Sequence, residues 1–101
     1  MALFQWIAEL HREDAEPKAR QALTELGMHI ELEDKSIYAT YAQQKPDKLR
    51  SIHECVKITI SPCSHHGSEY HIAVYSSESM ARAKTKCQEV AEKIRVAFPP
   101  I

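Results

Sequence analysis

Four stretches of this chain alternate apolar and polar residues with a period of two. A chain patterned that way folds into an antiparallel sheet with one buried and one wet face. In "MHIELED", Met28, Ile30 and Leu32 alternate with His29, Glu31 and Glu33. In "SIYATY", Ile37, Ala39 and Tyr41 alternate with Tyr38 and Thr40. Folding the chain about Asp34-Lys35 sets Leu32 opposite Ile37, Ile30 opposite Ala39 and Met28 opposite Tyr41, so one register gathers every apolar partner on one face. "ECVKITIS" turns Val56, Ile58 and Ile60 inward and Cys55, Lys57 and Thr59 outward. "EYHIAVY" turns Tyr70, Ile72 and Val74 inward against His71, Ala73 and Tyr75. Four consecutive strands of this kind predict a meander.

The flanking segments carry helical spacing. "ALFQWIAELHRED" places Leu3, Phe4, Ile7 and Leu10 on one side of a helix, with a strand over "LFQWI" as the alternative. In "DAEPKARQALTELG", Asp14 is the expected cap, Pro17 falls in the first turn and Gly27 ends the run. Ala15, Ala19, Ala22, Leu23 and Leu26 share its apolar face. The C-terminal "SSESMARAKTKCQEVAEKIRVAF" opens on cap-type serines. Its stripe of Met80, Ala83, Cys87, Val90, Ala91, Ile94 and Phe98 runs up to a terminating "PP". The expectation is a single α+β domain over 1–101: an antiparallel four-stranded meander with two N-terminal helices and one C-terminal helix packed on one face.

Composition removes several function classes. At 101 residues, 44% apolar and 27% charged, the chain has length for one modest core and is too apolar for disorder. Its net charge of −1 is a poor match to a protein that coats nucleic acid. The opening "MALFQWIA" is too short to span a bilayer and lacks the basic start and cleavage pattern of a signal peptide. Three cysteines, at 55, 63 and 87, make no disulfide framework. A cytoplasmic protein without a membrane segment is expected. Charge is uneven along the chain: residues 9–34 carry eight acids against three bases, and residues 35–57 five bases against two acids.

The densest chemistry lies in "SPCSHHGSEYH", the turn between the third and fourth expected strands. Cys63, His65, His66 and His71 are metal-ligand types, but C-x-H-H-x₄-H departs from paired zinc spacings, and adjacent histidines point apart. A Cys63 nucleophile activated by a neighbouring imidazole lacks any sign of an orienting group or oxyanion hole. With two glycines in the chain, G-x-G-x-x-G and P-loop phosphate cradles are excluded, and no G-x-S-x-G occurs. No catalytic residue, metal or cofactor is therefore assigned.

What remains is a non-catalytic protein-binding module of adaptor, inhibitor, immunity or chaperone type, a monomer or homodimer. Its expected contact surface is the exposed sheet face: His29, Glu31, Tyr38, Thr40, Lys57, Thr59, His71 and Tyr75. The alternative partner is nucleic acid, held by Arg82, Lys86 and Lys93 on one flank of the last helix, although Glu89 and Glu92 dilute that patch.

Overall fold

The first segment decides the architecture. "ALFQWIAE" holds two interleaved apolar sets, and the set that wins has period two: Ala2, Trp6 and Ala8 are buried while Leu3, Gln5 and Glu9 are exposed. Its aromatic and β-branched residues suit a pleated surface, and its partner is waiting at the other end of the chain. The computed structural model describes residues 2–34, 39–43, 55–63, 67–79 and 85–101. In chain order these form β1 (Ala2–Glu9), α1 (Arg12–Glu25), β2 (His29–Asp34), β3 (Ala39–Gln43), β4 (Lys57–Pro62), β5 (Glu69–Ser76) and α2 (Lys86–Ala97).

All five strands join one antiparallel sheet in the order β1-β5-β4-β3-β2. The meander of β2 to β5 is as expected. The N-terminal helix is not, and the expected four strands and three helices give way to five strands and two helices among the described residues. The fold class, α+β with an antiparallel sheet, is kept. β1 pairs with β5 over its whole length, from Ala2 opposite Ser76 to Glu9 opposite Glu69.

The first hairpin is also corrected. Its Cα register sets Leu32 opposite Tyr41 and Ile30 opposite Ala42, with a bulge between, instead of Leu32 opposite Ile37 and Ile30 opposite Ala39. Ile37 and the rest of 35–38 lie outside the described residues. A bulge absorbs one residue of mismatch, so strict alternation in the sequence did not report the true pairing.

Inward and outward positions on β4 and β5 follow the expected period. Val56, Ile58 and Ile60, with Tyr70, Ile72 and Val74, are buried, and Lys57, Thr59, His71 and Tyr75 are half-buried. Ala73, outward in register, is too small to stand clear of its row neighbours and is buried. Cys55, expected outward, is buried; it precedes β4, where the pleat does not yet impose alternation.

α1 begins at Arg12, earlier than expected, with His11 rather than Asp14 at the N-cap and no side-chain cap bond. Pro17 consequently lies inside the helix and not in its first turn. Glu13 and Asp14 sit in that first turn, where the helix dipole favours acids. The helix stops in a Schellman turn: Gly27 N–H donates to Thr24 O at 3.0 Å and Met28 N–H to Leu23 O at 3.0 Å. Gly27 takes φ +70°, which a side chain would strain, and Met28 returns to the core beside Leu23. Ala15, Ala19 and Leu23 are buried as the spacing predicted.

α2 starts at Lys86, capped by Thr85, whose side chain accepts from Gln88 N–H at 3.0 Å. The serines read as caps instead end β5 and follow it; Met80 and Ala83 lie outside the described residues. Cys87, Val90, Ala91, Ile94 and Phe98 are buried as expected. Both helices join one core cluster with the inward side chains of β1, β4 and β5, so they cover one face of the sheet, and among the described residues neither helix packs on the other, open face.

This asymmetry is testable within a dipeptide. Ile58 is fully buried and Lys57 is not. Ile58→Asp should lose ~1.5–3 kcal/mol of burial and force a carboxylate into the core, against a total stability of ~5–15 kcal/mol. Lys57→Asp should stay within about 0.5 kcal/mol of wild type in a denaturant titration at low protein concentration. Equal losses would mean that β4 is covered on both sides.

Candidate functional site

Four cross-strand rows build the open face, and the register names them. Leu3, Tyr75 and Lys57 form the first row across β1, β5 and β4. Gln5, Ala73 and Thr59 form the second, and Ile7, His71 and Ser61 the third. Glu9 and Glu69 form the fourth. Lys57, Thr59, His71 and Tyr75, expected on this surface, are therefore brought together here. His29 is exposed on β2, the strand at the far edge. Tyr38 lies outside the described residues, as do the side chains of Glu31 and Thr40. In register the β3 position beside Thr59 is Tyr41, and Thr40 pairs with Ile60.

Sequence reasoning missed the β1 side of this face. Leu3, with 39% of its surface exposed, is a large apolar residue left in the open, and Ile7 is half-buried. Gln5 does more than line the row: its Oε1 lies 3.0 Å from His71 Nε2, a side-chain bond that ties β1 to β5 on the outer surface. The signal was present as the period-two set Ala2, Phe4, Trp6 and Ala8, competing with a helical stripe of equal length. Charge is segregated along the strands. Lys57 stands at one end; at the other, Glu9 and Glu69 face each other, an arrangement of like charges that costs stability. Ser68 Oγ donates to Glu9 Oε1 at 3.4 Å.

The loop rich in cysteine and histidine opens from the acidic end. Cys63 N–H donates to Glu69 O at 2.9 Å, extending the β4–β5 ladder by one pair, and the Cys63 side chain is exposed. His65 and His66 lie outside the described residues. Among the described residues no three His, Cys, Asp or Glu side chains gather in a way that could hold a metal ion.

A second polar cluster was not foreseen, and it is buried. Glu78, 3% exposed, receives Lys86 N–H at 2.9 Å on Oε2, and Cys87 N–H at 3.0 Å and Ser76 O–H at 2.9 Å on Oε1. With Thr85 serving Gln88, the first three N–H groups of α2 all have side-chain acceptors, two of them on one carboxylate. Cys87 lies against this group with its Sγ 3.2 Å from Val74 O. Burial, reinforced by the Glu78 carboxylate and opposed by a hydrogen bond with Ser76, pushes its thiol up to about 11. A thiol held protonated and sealed from solvent is no nucleophile. This cluster fastens the end of β5 to the start of α2.

The basic flank is only partly described. Lys86 Nζ lies 3.6 Å from Glu89 Oε2, Lys93 is exposed, and Arg82 lies outside the described residues. No helix among the described residues is long and apolar enough to cross a membrane. No protein-family model matches the chain, and no curated protein is significantly similar to it.

The thiols give a check on the buried cluster. Cys63 should react with an alkylating reagent in the native protein, and Cys87 only after unfolding. A folded pKa raised from 9.0 to about 11 keeps the folded thiol protonated while the unfolded one ionises. The Cys87 contribution to stability is therefore intact below pH 9 and lost as pH rises to 11. Cys87→Ala should flatten that part of the alkaline stability profile. Native-state labelling of Cys87 as fast as that of Cys63 would contradict the sealed geometry.

Proposed function

We propose that this protein is a non-catalytic, cytoplasmic protein-binding module of the adaptor, inhibitor, immunity or chaperone type, which engages its partner through the open sheet face. One observation carries this reading: both helices join the core through one face of the sheet, and Lys57, Thr59, His71 and Tyr75 stand together on the other. A flat surface mixing aromatic, aliphatic and polar side chains suits protein recognition. Ala73 at its centre is small and buried between Gln5 and Thr59, leaving the middle of the face low. Support for a non-catalytic role comes from the unreactive setting of Cys87 and the use of the Glu78 carboxylate in helix capping. Support for a reducing compartment comes from three cysteines that form no disulfide, Cys63 among them exposed.

The test is affinity capture from the native host, with and without nuclease, followed by direct binding of the purified captured protein. Capture should survive nuclease. It should fall at least tenfold with Thr59→Arg, a bulky charge in the middle of the face, while the far-UV circular dichroism is unchanged. Lys86→Gln with Lys93→Gln should leave it intact. Capture that depends on nucleic acid and fails with the two helix changes would reject the reading.

A further inference from the structure

We propose that the occupant of the open sheet face is a second copy of this chain, packed face to face about a two-fold axis that runs across the strands. The inference rests on the protein-binding reading above and names its partner.

The charge order along the strands selects both partner and orientation. The rows run from Lys57, through two uncharged or histidine-bearing rows, to Glu9 and Glu69. A two-fold axis lying in the interface and perpendicular to the strands reverses the row order in the second copy. Lys57 of each copy then lies over the acidic row of the other, twice by symmetry. An axis parallel to the strands would stack lysine row on lysine row and glutamate row on glutamate row, which like-charge repulsion forbids. The rows of β1, β5 and β4 are thus complementary to themselves in one of the two orientations.

Among the described residues no cation pairs with the acidic row. Glu9 and Glu69 are directly opposed, both exposed, and destabilise the β1–β5 pair as it stands. An incoming ammonium converts that repulsion into an attraction. Between the charged ends, Leu3, Ile7 and Tyr75 contribute the apolar part of the contact, and buried Ala73 leaves a small step between its larger row neighbours Gln5 and Thr59.

The size fits. Five strands at ~4.8 Å spacing, each ~17–26 Å long, offer a footprint of roughly 500 Å² per copy. Two such faces bury on the order of 1,000 Å², which is the lower limit for a specific dimer. Aligned sheet packing at ~10 Å separation is the geometry in which opposed side chains interdigitate.

Sedimentation velocity across a concentration series tests this with the intact chain. Wild type should double in mass as concentration rises. Lys57→Glu, and separately Glu9→Lys with Glu69→Lys, should each weaken dimerisation by about tenfold or more, and Lys57→Gln by less than the reversal. An equimolar mixture of the two charge-reversed proteins should form a mixed dimer at concentrations where each alone is monomeric. That recovery shows that both variants are folded. A wild-type protein monomeric throughout the series would overturn the proposal. So would a dimer indifferent to all the variants, or a mixture that stays monomeric. If wild type is monomeric while Thr59→Arg still abolishes capture of a different protein, the protein-binding reading stands and only the second-copy inference fails.

Discussion

The pairing of β1 with β5 is the constraint on which the rest of the molecule depends. It joins the beginning of the chain to its last strand over eight residue pairs and so closes a sheet whose other four strands follow in sequence order. The tail then returns to the same strand. Ile101 N–H donates to Ile7 O at 3.0 Å, Ala8 bridges to Pro100, and Trp6 Nε1 donates to Phe98 O at 2.8 Å from inside the core. An edge strand is an invitation to aggregate, and here part of that edge is covered by the chain's own terminus. Arg95 lies 5.0 Å from the Trp6 ring centre, placing a guanidinium over an otherwise buried aromatic.

Burying Glu78 is the other costly feature of this structure, and hydrogen bonds offset the cost. A carboxylate out of water costs several kcal/mol unless its lone pairs are used. Here they meet backbone donors that would themselves be orphaned at the start of α2, along with the Ser76 hydroxyl. One residue thereby answers two demands: the helix gains an acceptor at its positive end, and β5 is fixed to α2. The neighbouring thiol inherits a site unfit for reactivity.

With one face of the sheet committed to both helices, the proposed contact surface lies on the other. The two faces differ in composition because they answer to different requirements. Inward positions need apolar volume, whereas outward positions only need to avoid cost in water. The outward rows retain Leu3, Ile7 and Tyr75, and across β1, β5 and β4 their charges run from Lys57 at one end to Glu9 and Glu69 at the other.

Local periodicity was enough to determine a great deal. The alternation of β4 and β5, the burial of Ile58, Ile60, Ile72 and Val74, the alanine face of α1 and the stop at Gly27 all follow from patterns within a dozen residues. So did half of the candidate surface, because Lys57, Thr59, His71 and Tyr75 are the outward members of the same alternation. By contrast, β3 lies two to three residues later than its pattern and pairs Thr40, not Tyr41, with buried Ile60. Only the tertiary structure decided the remainder. "ALFQWIAE" fits a helix and a strand equally well in isolation, and the choice between them came from an edge more than sixty residues away. The hairpin register moved because a bulge breaks alternation without leaving a mark in the sequence. Glu78 reads as one more surface acid until β5 and α2 are set side by side. The charge order of the open face likewise exists only once Glu9, Glu69 and Lys57 share a sheet, since cross-strand distance has no counterpart in sequence separation.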